Sequence, residues 1–352
     1  MSRSSQDSRI DDLVKHIRKN LKDKDGKHVA RASDFEVAQQ KIPTGSRGLD
    51  KVLAGGWPRG RVIELYGAEG LGKTSLALCA MRSAIQGGGV AAYVDVEHAI
   101  DFDYVKANGI DTSNYVHIEP ATAEDALEAI RWCLRKGVEV IVCDTVAALA
   151  SRAEMKGEIG DEHVARQARL MSKALKIMAG EVKRSRSVLF FLNQLRHNVG
   201  VMYGPTTITP GGKALKYYAS TRVEMRGGKK IEDGKKIIGH WVSTKIIKSK
   251  TSVPFQVADL AVLYGKGISE SLEVLALAIL MKIVKVVKKK GGKGEEKEEE
   301  PVKKKGFQKK EKKRTYTFGG RIWTGAVEFL GMVAEDPTFL SSMTAAIEEV
   351  GS

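Results

Sequence analysis

Residues 67–74 read Gly-Ala-Glu-Gly-Leu-Gly-Lys-Thr, a complete G-x-x-x-x-G-K-[ST] pattern. The glycines let the backbone turn tightly, so that several N–H groups can point at one phosphate chain. Lys73 can then reach the β- and γ-phosphates, and the Thr74 hydroxyl can coordinate Mg²⁺. The pattern therefore predicts a nucleoside triphosphate site, built from the whole loop and the residue after it: Gly67, Ala68, Glu69, Gly70, Leu71, Gly72, Lys73, Thr74 and Ser75.

The residues on either side of this loop support that interpretation. Arg61–Tyr66 is a short apolar run that predicts a strand, and Thr74–Ile85 has the apolar periodicity of a helix. The loop thus joins a strand to a helix, which is the context that a phosphate-binding loop requires. A glycine-rich turn with an incidental lysine is the less favoured alternative.

The composition limits the class of protein. The chain has 352 residues, of which 42% are hydrophobic, enough for a large core and up to three domains. No apolar run reaches the roughly 18 residues of a membrane span, and the N-terminus lacks the apolar region of a signal peptide. Cys79, Cys133 and Cys143 show no metal-ligand spacing and are interpreted as small buried residues in a reducing compartment. We therefore expect a cytoplasmic protein with no membrane partner.

The charge of the chain is strongly positive and partly local. The net charge of +15 suggests a polyanionic partner. Residues 285–314 alone carry 14 lysines or arginines against six glutamates. Such a tract is either a solvated, disordered insertion or an auxiliary site of attraction for nucleic acid, and its composition leaves both open.

Strand and helix patterns alternate from Ile42 to Ile268. Strands are predicted at Arg61–Tyr66, Val90–Asp95, Tyr115–Ile118, Val138–Asp144, Val188–Asn193, Ser220–Met225, Trp241–Lys248 and Ala258–Leu263. Helices are predicted at Lys73–Gln86, Ala123–Lys136 and Glu162–Ser185. This alternation predicts an α/β fold with a mostly parallel sheet flanked by helices, and we assign residues 42–268 to one core domain.

Two smaller units are predicted at the ends of the chain. Residues 1–41 contain an amphipathic helix at Ile10–Leu21, which must bury its apolar stripe on its own core or on a neighbouring subunit. Residues 269–352 predict a small α/β domain, interrupted by the charged tract. It begins with a helix over Ser269–Lys285 and resumes at Thr315–Val350 with a strand, an FGGRIW turn and two helices.

Polar residues end three of the predicted core strands. Carboxyl ends of parallel strands face the ligand crevice, so we expect Asp144 to hold Mg²⁺ through water. Glu97 is a candidate general base for an attacking water, and the amide of Gln194 a candidate sensor of the γ-phosphate. A helix cap or an exposed ion pair is the plain alternative for each carboxylate.

Two glycine- and charge-rich stretches, Met155–Arg169 and Leu195–Gly212, follow or flank these strand ends. Mobile basic loops beside a nucleotide site fit a channel for nucleic acid, although ordinary surface loops have the same composition. Lys248 and Lys250 follow another strand and can stabilise the charge of phosphoryl transfer, unless they are simply exposed lysines.

Taken together, these segments resemble the RecA family of bacterial homologous-recombination ATPases. The similarity covers about Ile42–Ile268 in order and spacing, through GAEGLGKTS, VDVEHAID, VIVCDTVAAL, GEIGDEH, FFLNQLR, VGVMYG, GGKALKYYAS, KIIKSK and LYGKGI. The resemblance implies a RecA-like P-loop NTPase core that binds ATP and Mg²⁺. It also implies a DNA-dependent ATPase that forms a helical filament on single-stranded DNA and pairs it with homologous duplex DNA in strand exchange and repair.

The resemblance further implies roles for individual residues at the nucleotide. Glu97 would activate water, and Gln194 would couple the γ-phosphate to the DNA loop that follows it. Lys248 and Lys250 would reach the ATP of the adjacent protomer. The adenosine would be contacted from two places in the sequence, by Asp101 and Tyr104 and by Tyr264 and Gly265.

The same resemblance implies the DNA-binding and assembly surfaces. Met155–Arg169 and Leu195–Gly212 would be the two DNA loops, and Tyr217 would lie at the subunit interface. The DNA-binding candidates are Arg169, Arg196, His197, Gly211, Gly212 and Lys213. His197 and Asn198 stand where the family usually has a lysine, and Lys213 replaces the usual asparagine of GGNALK. The N-terminal helix would pack on a neighbouring subunit.

The family's further partners are a LexA-like repressor, whose self-cleavage it stimulates in the SOS response, and recombination mediators; the resemblance also implies association with the nucleoid. Three rival functions remain distinguishable. A RecA-like helicase would unwind DNA without a filament, and a small-molecule kinase would not respond to single-stranded DNA. A DNA-coating protein would need neither Glu97 nor the Mg²⁺ ligands.

Overall fold

A computed structural model describes residues 3–22, 29, 31, 40–156, 164–197, 207–208, 210–287 and 315–351. Residues 157–163 of the first predicted DNA loop and 198–206 and 209 of the second lie outside the described residues, as does the charged tract from residue 288 to 314. None of the helices in the described ranges has the length and apolar character that a membrane crossing requires.

A nine-stranded sheet forms the centre of the molecule. In chain order its strands are β1 (Arg61–Gly67), β2 (Ala91–Asp95), β3 (Tyr115–Ile118), β4 (Val140–Asp144), β5 (Val188–Gln194), β6 (Thr221–Asp233), β7 (Lys236–Ser249), β8 (Val257–Leu263) and β9 (Gly267–Ile268). Their order across the sheet is β9-β8-β7-β6-β1-β5-β4-β2-β3. The six strands from β6 to β3 pair in parallel, whereas β7, β8 and β9 add antiparallel to the β6 edge. The predicted α/β class with a mostly parallel sheet is confirmed.

The helices cover both faces of this sheet. Their bounds are α1 (Arg3–Asn20), α2 (Arg47–Val52), α3 (Lys73–Gln86), α4 (Phe102–Ala107), α5 (Ala123–Arg135), α6 (Arg152–Lys156), α7 (Val164–Ser185), α8 (Gly212–Tyr218), α9 (Glu270–Leu280), α10 (Gly325–Glu335) and α11 (Pro337–Gly351). Short 3₁₀ turns lie at Thr112–Asn114 and Val146–Ala148. Two-residue strands pair at Lys41–Ile42 with Trp57–Pro58 and at Arg196–His197 with Thr207–Ile208.

The central strands are buried because each face of the sheet packs on a separate apolar layer. On one face, α3 contributes Leu76, Leu78 and Met81 to a cluster that also holds Leu65 of β1. On the other face, α5 and α7 pack their apolar stripes, including Leu175, on a second cluster. Burial on both faces explains why these strands are runs of apolar residues rather than alternating ones. The nucleotide motifs are therefore carried on a rigid scaffold.

Two predicted boundaries in the core were wrong by more than two residues. Strands were expected to end at Met225 and to begin again at Trp241, but β6 and β7 form one long hairpin that turns after Asp233. The ladder shifts its register between Gly227 and Lys230. The glycine pair was taken as a break in the chain, whereas it forms an irregularity within the hairpin, where a strand tolerates glycine.

The C-terminal residues form a three-stranded antiparallel sheet with two helices. Its strands are β10 (Lys285–Val287), β11 (Thr315–Phe318) and β12 (Arg321–Thr324), packed with α9, α10 and α11 around Trp323 and Phe329. The predicted helix over Ser269–Lys285 is shorter than expected, because α9 ends at Leu280 and Lys285 lies in β10. Most of the FGGRIW turn is strand, and only Gly319 and Gly320 make the turn itself.

The N-terminal helix is longer than the predicted amphipathic stretch. Its acidic residues Asp7 and Asp11 form ion pairs with Arg31 at 3.0 and 2.8 Å. Ile10 and Leu13 on its apolar stripe are 39% and 58% exposed. What buries the stripe stays a prediction, as do the domain limits at residues 41 and 268.

The three cysteines are free thiols, as the sequence suggests. Cys79 and Cys143 are fully buried, whereas Cys133 is only half-buried. Burial raises the pKa of the Cys79 thiol to about 11 and also raises the pKa of the Cys143 thiol. Such thiols remain protonated near neutral pH and do not act as nucleophiles.

Candidate nucleotide-binding site

The phosphate-loop motif lies between β1 and α3, as predicted. Gly70 and Gly72 have φ values of +70° and +77°, which residues other than glycine rarely adopt. Gly67 needs its hydrogen for a second reason, since a Cβ atom there would lie 2.4 Å from the Met225 carbonyl oxygen. The loop delivers the chain to the N-terminus of α3, where unpaired backbone N–H groups and the helix dipole favour an anion.

Lys73, the first residue of α3, is buried beneath the loop. Its Nζ donates to the carbonyl oxygens of Ala68 at 2.7 Å and of Gly67 at 3.3 Å. Burial lowers the pKa of Lys73, and the carboxylates of Asp144 and Glu97 oppose that shift. The ammonium group is thus held by carbonyl oxygens of the phosphate loop, at a position from which it can bind a phosphate.

Asp144 ends β4 beside the same helix. Its Oδ2 accepts a hydrogen bond from Thr74 Oγ1 at 2.8 Å and another from the Tyr93 hydroxyl at 2.6 Å. Burial raises the pKa of Asp144, while the hydrogen bonds from Tyr93 and Thr74 lower it. A hydroxyl and a carboxylate so close together are hard oxygen ligands that fit Mg²⁺. Sequence reasoning missed Tyr93, whose only signal was a polar hydroxyl in the middle of an apolar strand.

Glu97 joins the ends of three strands. Its Oε1 accepts from Thr145 Oγ1 at 2.8 Å and from Gln194 Nε2 at 3.2 Å. The loop after β2, the residue after β4 and the end of β5 therefore meet at one carboxylate, as expected from parallel strands that end at the same edge. Thr145 was not predicted, although it directly follows Asp144 in the sequence.

An open cleft of about 310 Å³ lies next to the phosphate loop. It is lined by Gly70, Gly72, Lys73, Thr74, Ser75, Tyr104, His240, Val262, Leu263, Tyr264 and Gly265. Ser75 Oγ and the Tyr104 hydroxyl are hydrogen-bonded at 2.6 Å. The predicted adenosine residues Tyr104, Tyr264 and Gly265 thus come together, while Asp101 caps α4 by accepting from the Asp103 amide at 2.8 Å.

His240 is a cleft residue that sequence reasoning missed. It lies on β7, and its ring centroid is 5.6 Å from that of Tyr264. Both aromatic rings line the same cleft as the phosphate loop. A histidine in a long hairpin strand gives no sign of a binding role, because its position depends on the pairing of β7 with β8.

Lys248 and Lys250 lie at the end of β7 and just beyond it. Lys248 Nζ donates to the carbonyl oxygens of Lys216 at 2.7 Å and Tyr217 at 3.0 Å, near the end of α8. Burial lowers the pKa of Lys248, as do the neighbouring charges of Lys250 and Arg222. The Lys250 side chain is exposed. Within one chain, the structure places neither lysine among the residues that line the phosphate-loop cleft.

Several DNA-binding candidates surround α8. An open cleft of about 630 Å³ between α7 and α8 is lined by Ala168, Arg169, Ser172, Lys213, Ala214, Tyr217 and Tyr218. Tyr217 is 74% exposed there. Gly211 and Gly212 have φ values of +87° and +71° at the start of α8. For Arg196 and His197 the structure describes the backbone and not the side chains.

Comparison with known proteins identifies the group to which this arrangement belongs. Residues 9–269 match the sequence model of the RecA N-terminal domain. The chain belongs to the RecA family. The resemblance noted from its motifs is thereby confirmed over about three quarters of the chain.

Individual relatives agree with this assignment. The chain is 40% identical over 280 residues to Protein RecA of Lactobacillus acidophilus, which covers 79% of this chain and 77% of the relative. It is 50% identical over 230 residues to Protein RecA of Mycobacterium ulcerans, covering 65% and 66%. Protein RecA of Mycobacteroides abscessus is 49% identical over 231 residues, covering 65% and 67%.

Membership in the RecA family establishes the coarse function. The chain is a DNA-dependent ATPase of homologous recombination that uses ATP and Mg²⁺ and catalyses strand exchange in DNA repair. It binds single-stranded DNA and associates with itself. Bound Mg²⁺ would neutralise phosphate charge, and Thr74 and Asp144 are the residues that fit it.

Proposed function

We propose that this RecA-family site hydrolyses ATP with Glu97 as general base and reports the γ-phosphate to the DNA loop through Gln194. The observation that carries the proposal is the pair of hydrogen bonds to Glu97 Oε1, from Thr145 and from Gln194. They fix the carboxylate and leave Oε2 to take a proton from the attacking water. They also make the general base and the sensor direct neighbours.

The other phosphate-loop residues act on the triphosphate itself. Lys73, held by the carbonyl oxygens of the loop, places a positive charge at the β- and γ-phosphates. The backbone N–H groups at the start of α3 orient the phosphate chain. Tyr104, Tyr264 and Gly265 hold the adenosine in the adjoining cleft, and Asp101, which caps the helix that carries Tyr104, also contacts it. Such positioning supplies most of the rate in phosphoryl transfer.

Gln194 couples this chemistry to DNA because Arg196 follows it by only two residues. A γ-phosphate competes with Glu97 for the Gln194 amide, whose displacement moves the start of the loop. Six residues form the DNA-facing set: Arg169, Arg196, His197, Gly211, Gly212 and Lys213. Contacts of this type go mainly to phosphates, so the affinity for DNA falls with salt and depends little on sequence.

The site is completed by a second protomer in the proposed assembly. Lys248 and Lys250 reach the ATP of the neighbour across an interface that includes the exposed Tyr217. The helix α1 packs its exposed stripe on a neighbouring subunit. Head-to-tail contacts of this kind generate a helical filament.

Finer partners follow from the same family assignment. The filament pairs its single strand with homologous duplex DNA, stimulates self-cleavage of a LexA-like repressor and is loaded by recombination mediators. It works in the cytoplasm, in association with the nucleoid.

An ATPase assay with and without single-stranded DNA tests the proposal. We expect strong stimulation by DNA in the wild type and loss of hydrolysis in Lys73→Ala, because the substitution removes the buried ammonium that faces the phosphates. Hydrolysis at the full rate without DNA would contradict the proposed coupling. Hydrolysis that survives in Lys73→Ala would contradict the proposed site.

A further inference from the structure

A fully buried carboxylate lies on β1, behind the phosphate loop and outside the nucleotide site. Glu64 has no exposed surface, and its side chain is on the same face of the sheet as Val62, which belongs to the core cluster that also contains Leu215 of α8. An ionised side chain in such a place needs partners for both oxygens. Its Oε2 accepts from Arg222 Nε on β6, and its Oε1 accepts from Asn193 Nδ2 on β5 at 3.2 Å.

Asn193 is the residue before the proposed sensor, and its amide has only one possible orientation. Nδ2 faces two acceptors, Glu64 Oε1 and the Pro210 carbonyl oxygen at 3.0 Å, so the NH₂ group must point to them. Oδ1 is thereby turned to the backbone N–H of Gln194, from which it accepts at 3.1 Å. One side chain thus holds both Gln194 and the segment that enters α8.

Lys248 continues the same line of polar side chains on the other side. Arg222 is the register partner of Glu64 on β1 and of Lys248 on β7. Its guanidinium also stacks on the Tyr66 ring, 4.7 Å from the centroid, which limits its freedom. Asn193, Glu64, Arg222 and Lys248 therefore form a polar row across four adjacent strands on one face of the sheet.

The polar row holds α8 at both of its ends. Asn193 binds the carbonyl oxygen of Pro210, just before the helix, and Lys248 binds those of Lys216 and Tyr217 in its last turn. One end of the row thus contacts Gln194, the group proposed to meet the γ-phosphate of this protomer. The other end is Lys248, the group proposed to meet the ATP of the neighbour.

We propose that the polar row is a positioning device that sets Gln194, Lys248 and α8 relative to one another, with Glu64 as its central positioning residue. This inference rests on the roles proposed above for Gln194 and Lys248. Glu64 touches neither nucleotide nor DNA. It acts through Asn193 and Arg222, so that a shift of Gln194 is passed to α8 and the loop before it.

The chemistry of the row explains why a carboxylate is required at its centre. A carboxylate offers two acceptor oxygens, one for Asn193 and one for Arg222, whereas a glutamine offers one acceptor and one donor. In Glu64→Gln, one of the two links must break, although size and shape are kept. In Asn193→Asp, both donors of the amide are lost. The double variant Glu64→Gln with Asn193→Asp restores a link, because the new amide can donate to the new carboxylate and accept from Arg222.

The test uses the full-length chain and compares nucleotide response with nucleotide affinity. Hydrogen–deuterium exchange of the peptide spanning Leu195–Lys213 is measured with and without a non-hydrolysable ATP analogue and Mg²⁺, and affinity is measured with a fluorescent ATP analogue. We expect Glu64→Gln to bind nucleotide within about twofold of wild type but to lose about tenfold in its exchange response and in DNA-stimulated kcat. The double variant Glu64→Gln with Asn193→Asp should show a larger exchange response to nucleotide than Asn193→Asp alone.

Glu181→Gln is the matched control. Glu181 is also a largely buried carboxylate with two arginine partners, Arg131 and Arg135, but it joins α5 to α7. The Glu181→Gln variant should unfold more easily than the wild type and keep the exchange response to nucleotide. The inference would be overturned if the exchange response of Glu64→Gln equalled that of the wild type, or if Glu181→Gln lost as much of it as Glu64→Gln. It would also be overturned if the wild type showed no exchange response to nucleotide. If the wild-type protein responds to nucleotide but DNA does not stimulate its ATP hydrolysis, the inference about the row is kept and the proposed function is contradicted.

Discussion

Glu97 is the single residue on which the proposed chemistry depends most. Glu97→Gln keeps an acceptor for Thr145 and Gln194 but removes the group that takes the proton. We therefore predict that kcat for ATP hydrolysis falls by about 10²–10⁴-fold, while ATP affinity changes little. Single-turnover hydrolysis and binding of a fluorescent ATP analogue measure the two effects separately. Glu119→Gln, which alters an exposed carboxylate paired with His117, is the control, and a Glu97→Gln variant that hydrolyses at the wild-type rate would refute the role.

A single buried residue, Glu273, makes the stability of the fold depend on pH. It is buried on α9, where its Oε2 accepts from Ser46 Oγ at 2.6 Å at the start of α2. Burial raises the pKa of Glu273 to about 8, against 4.5 for the free side chain. Between these two values the folded chain holds a proton that the unfolded chain has released, so the stabilisation is complete below the lower value and is lost as pH rises to the upper one.

Glu273→Gln should remove that dependence while keeping the acceptor for Ser46. We predict that the free energy of unfolding falls between pH 5 and 8 by roughly 2–4 kcal/mol more in the wild type than in the variant. Thermal or denaturant unfolding at several pH values measures it. Glu270→Gln on the same helix, whose carboxylate is exposed and paired with Arg47, should retain the wild-type slope. Parallel slopes for wild type and Glu273→Gln would show that the carboxyl is not held protonated.

Among the secondary-structure elements, α8 begins at a sterically constrained turn that contributes to the DNA-facing set. Gly211 has φ +87°, and a Cβ there would lie 2.8 Å from Val146 Cγ1. Gly211→Ala should cost about 1–2 kcal/mol for the backbone conformation and, in addition, push α8 from its place. We predict weaker binding of single-stranded DNA and weaker stimulation of ATPase activity, with nucleotide affinity retained.

A second glycine separates backbone strain from displacement of the helix. Gly88 has φ +78°, but nothing lies within 4 Å of a Cβ placed there. Gly88→Ala should therefore lower the melting temperature without affecting the binding of fluorescent single-stranded DNA. If Gly88→Ala and Gly211→Ala impaired DNA binding equally, the displacement of α8 would not be the cause.

The sequence predicts those elements whose signal is local. The bounds of α3 and β3 were predicted to the residue, because caps, loop motifs and apolar periods lie within the segments themselves. The placement of Asp144, Glu97 and Gln194 at one edge of the sheet was predicted because parallel strands bring their carboxyl ends together there; their roles stay a prediction. The long hairpin of β6 and β7 was missed, since its glycines resemble a break unless the partner strand is known.

Other parts of the site depend on pairing between distant segments. Tyr93, Thr145 and His240 carry no pattern of their own, and each acquires its place from the strand beside it. Glu64 gave one signal, a charge within an apolar strand, but the strands of its partners Asn193 and Arg222 start some 120 and 160 residues away along the chain. Register across a sheet is set by the whole fold, so a local pattern does not reveal it.

For the molecule as a whole, we propose that the phosphate loop forms half of a site. Glu97, Asp144 and Gln194 surround it in the same chain, whereas Lys248 contacts its own α8 and Lys250 is exposed. In this proposal the two lysines act on the ATP of the next protomer, so that hydrolysis reports the state of the filament. Such a site is a switch between subunits and differs from a nucleotide pocket that is complete within one chain.

A mixture of two variants that are each expected to be inactive tests this contact between protomers. Lys73→Ala lacks a working phosphate loop but supplies both lysines, and the double variant Lys248→Ala with Lys250→Ala has the opposite defect. In mixed filaments on single-stranded DNA, about a quarter of the interfaces at equal amounts would join an intact loop to intact lysines, given head-to-tail contacts. Co-sedimentation of a tagged variant with its untagged partner verifies mixing. We predict ATPase activity well above the sum of the separate variants; activity no greater than that sum in verified mixed filaments would contradict the account.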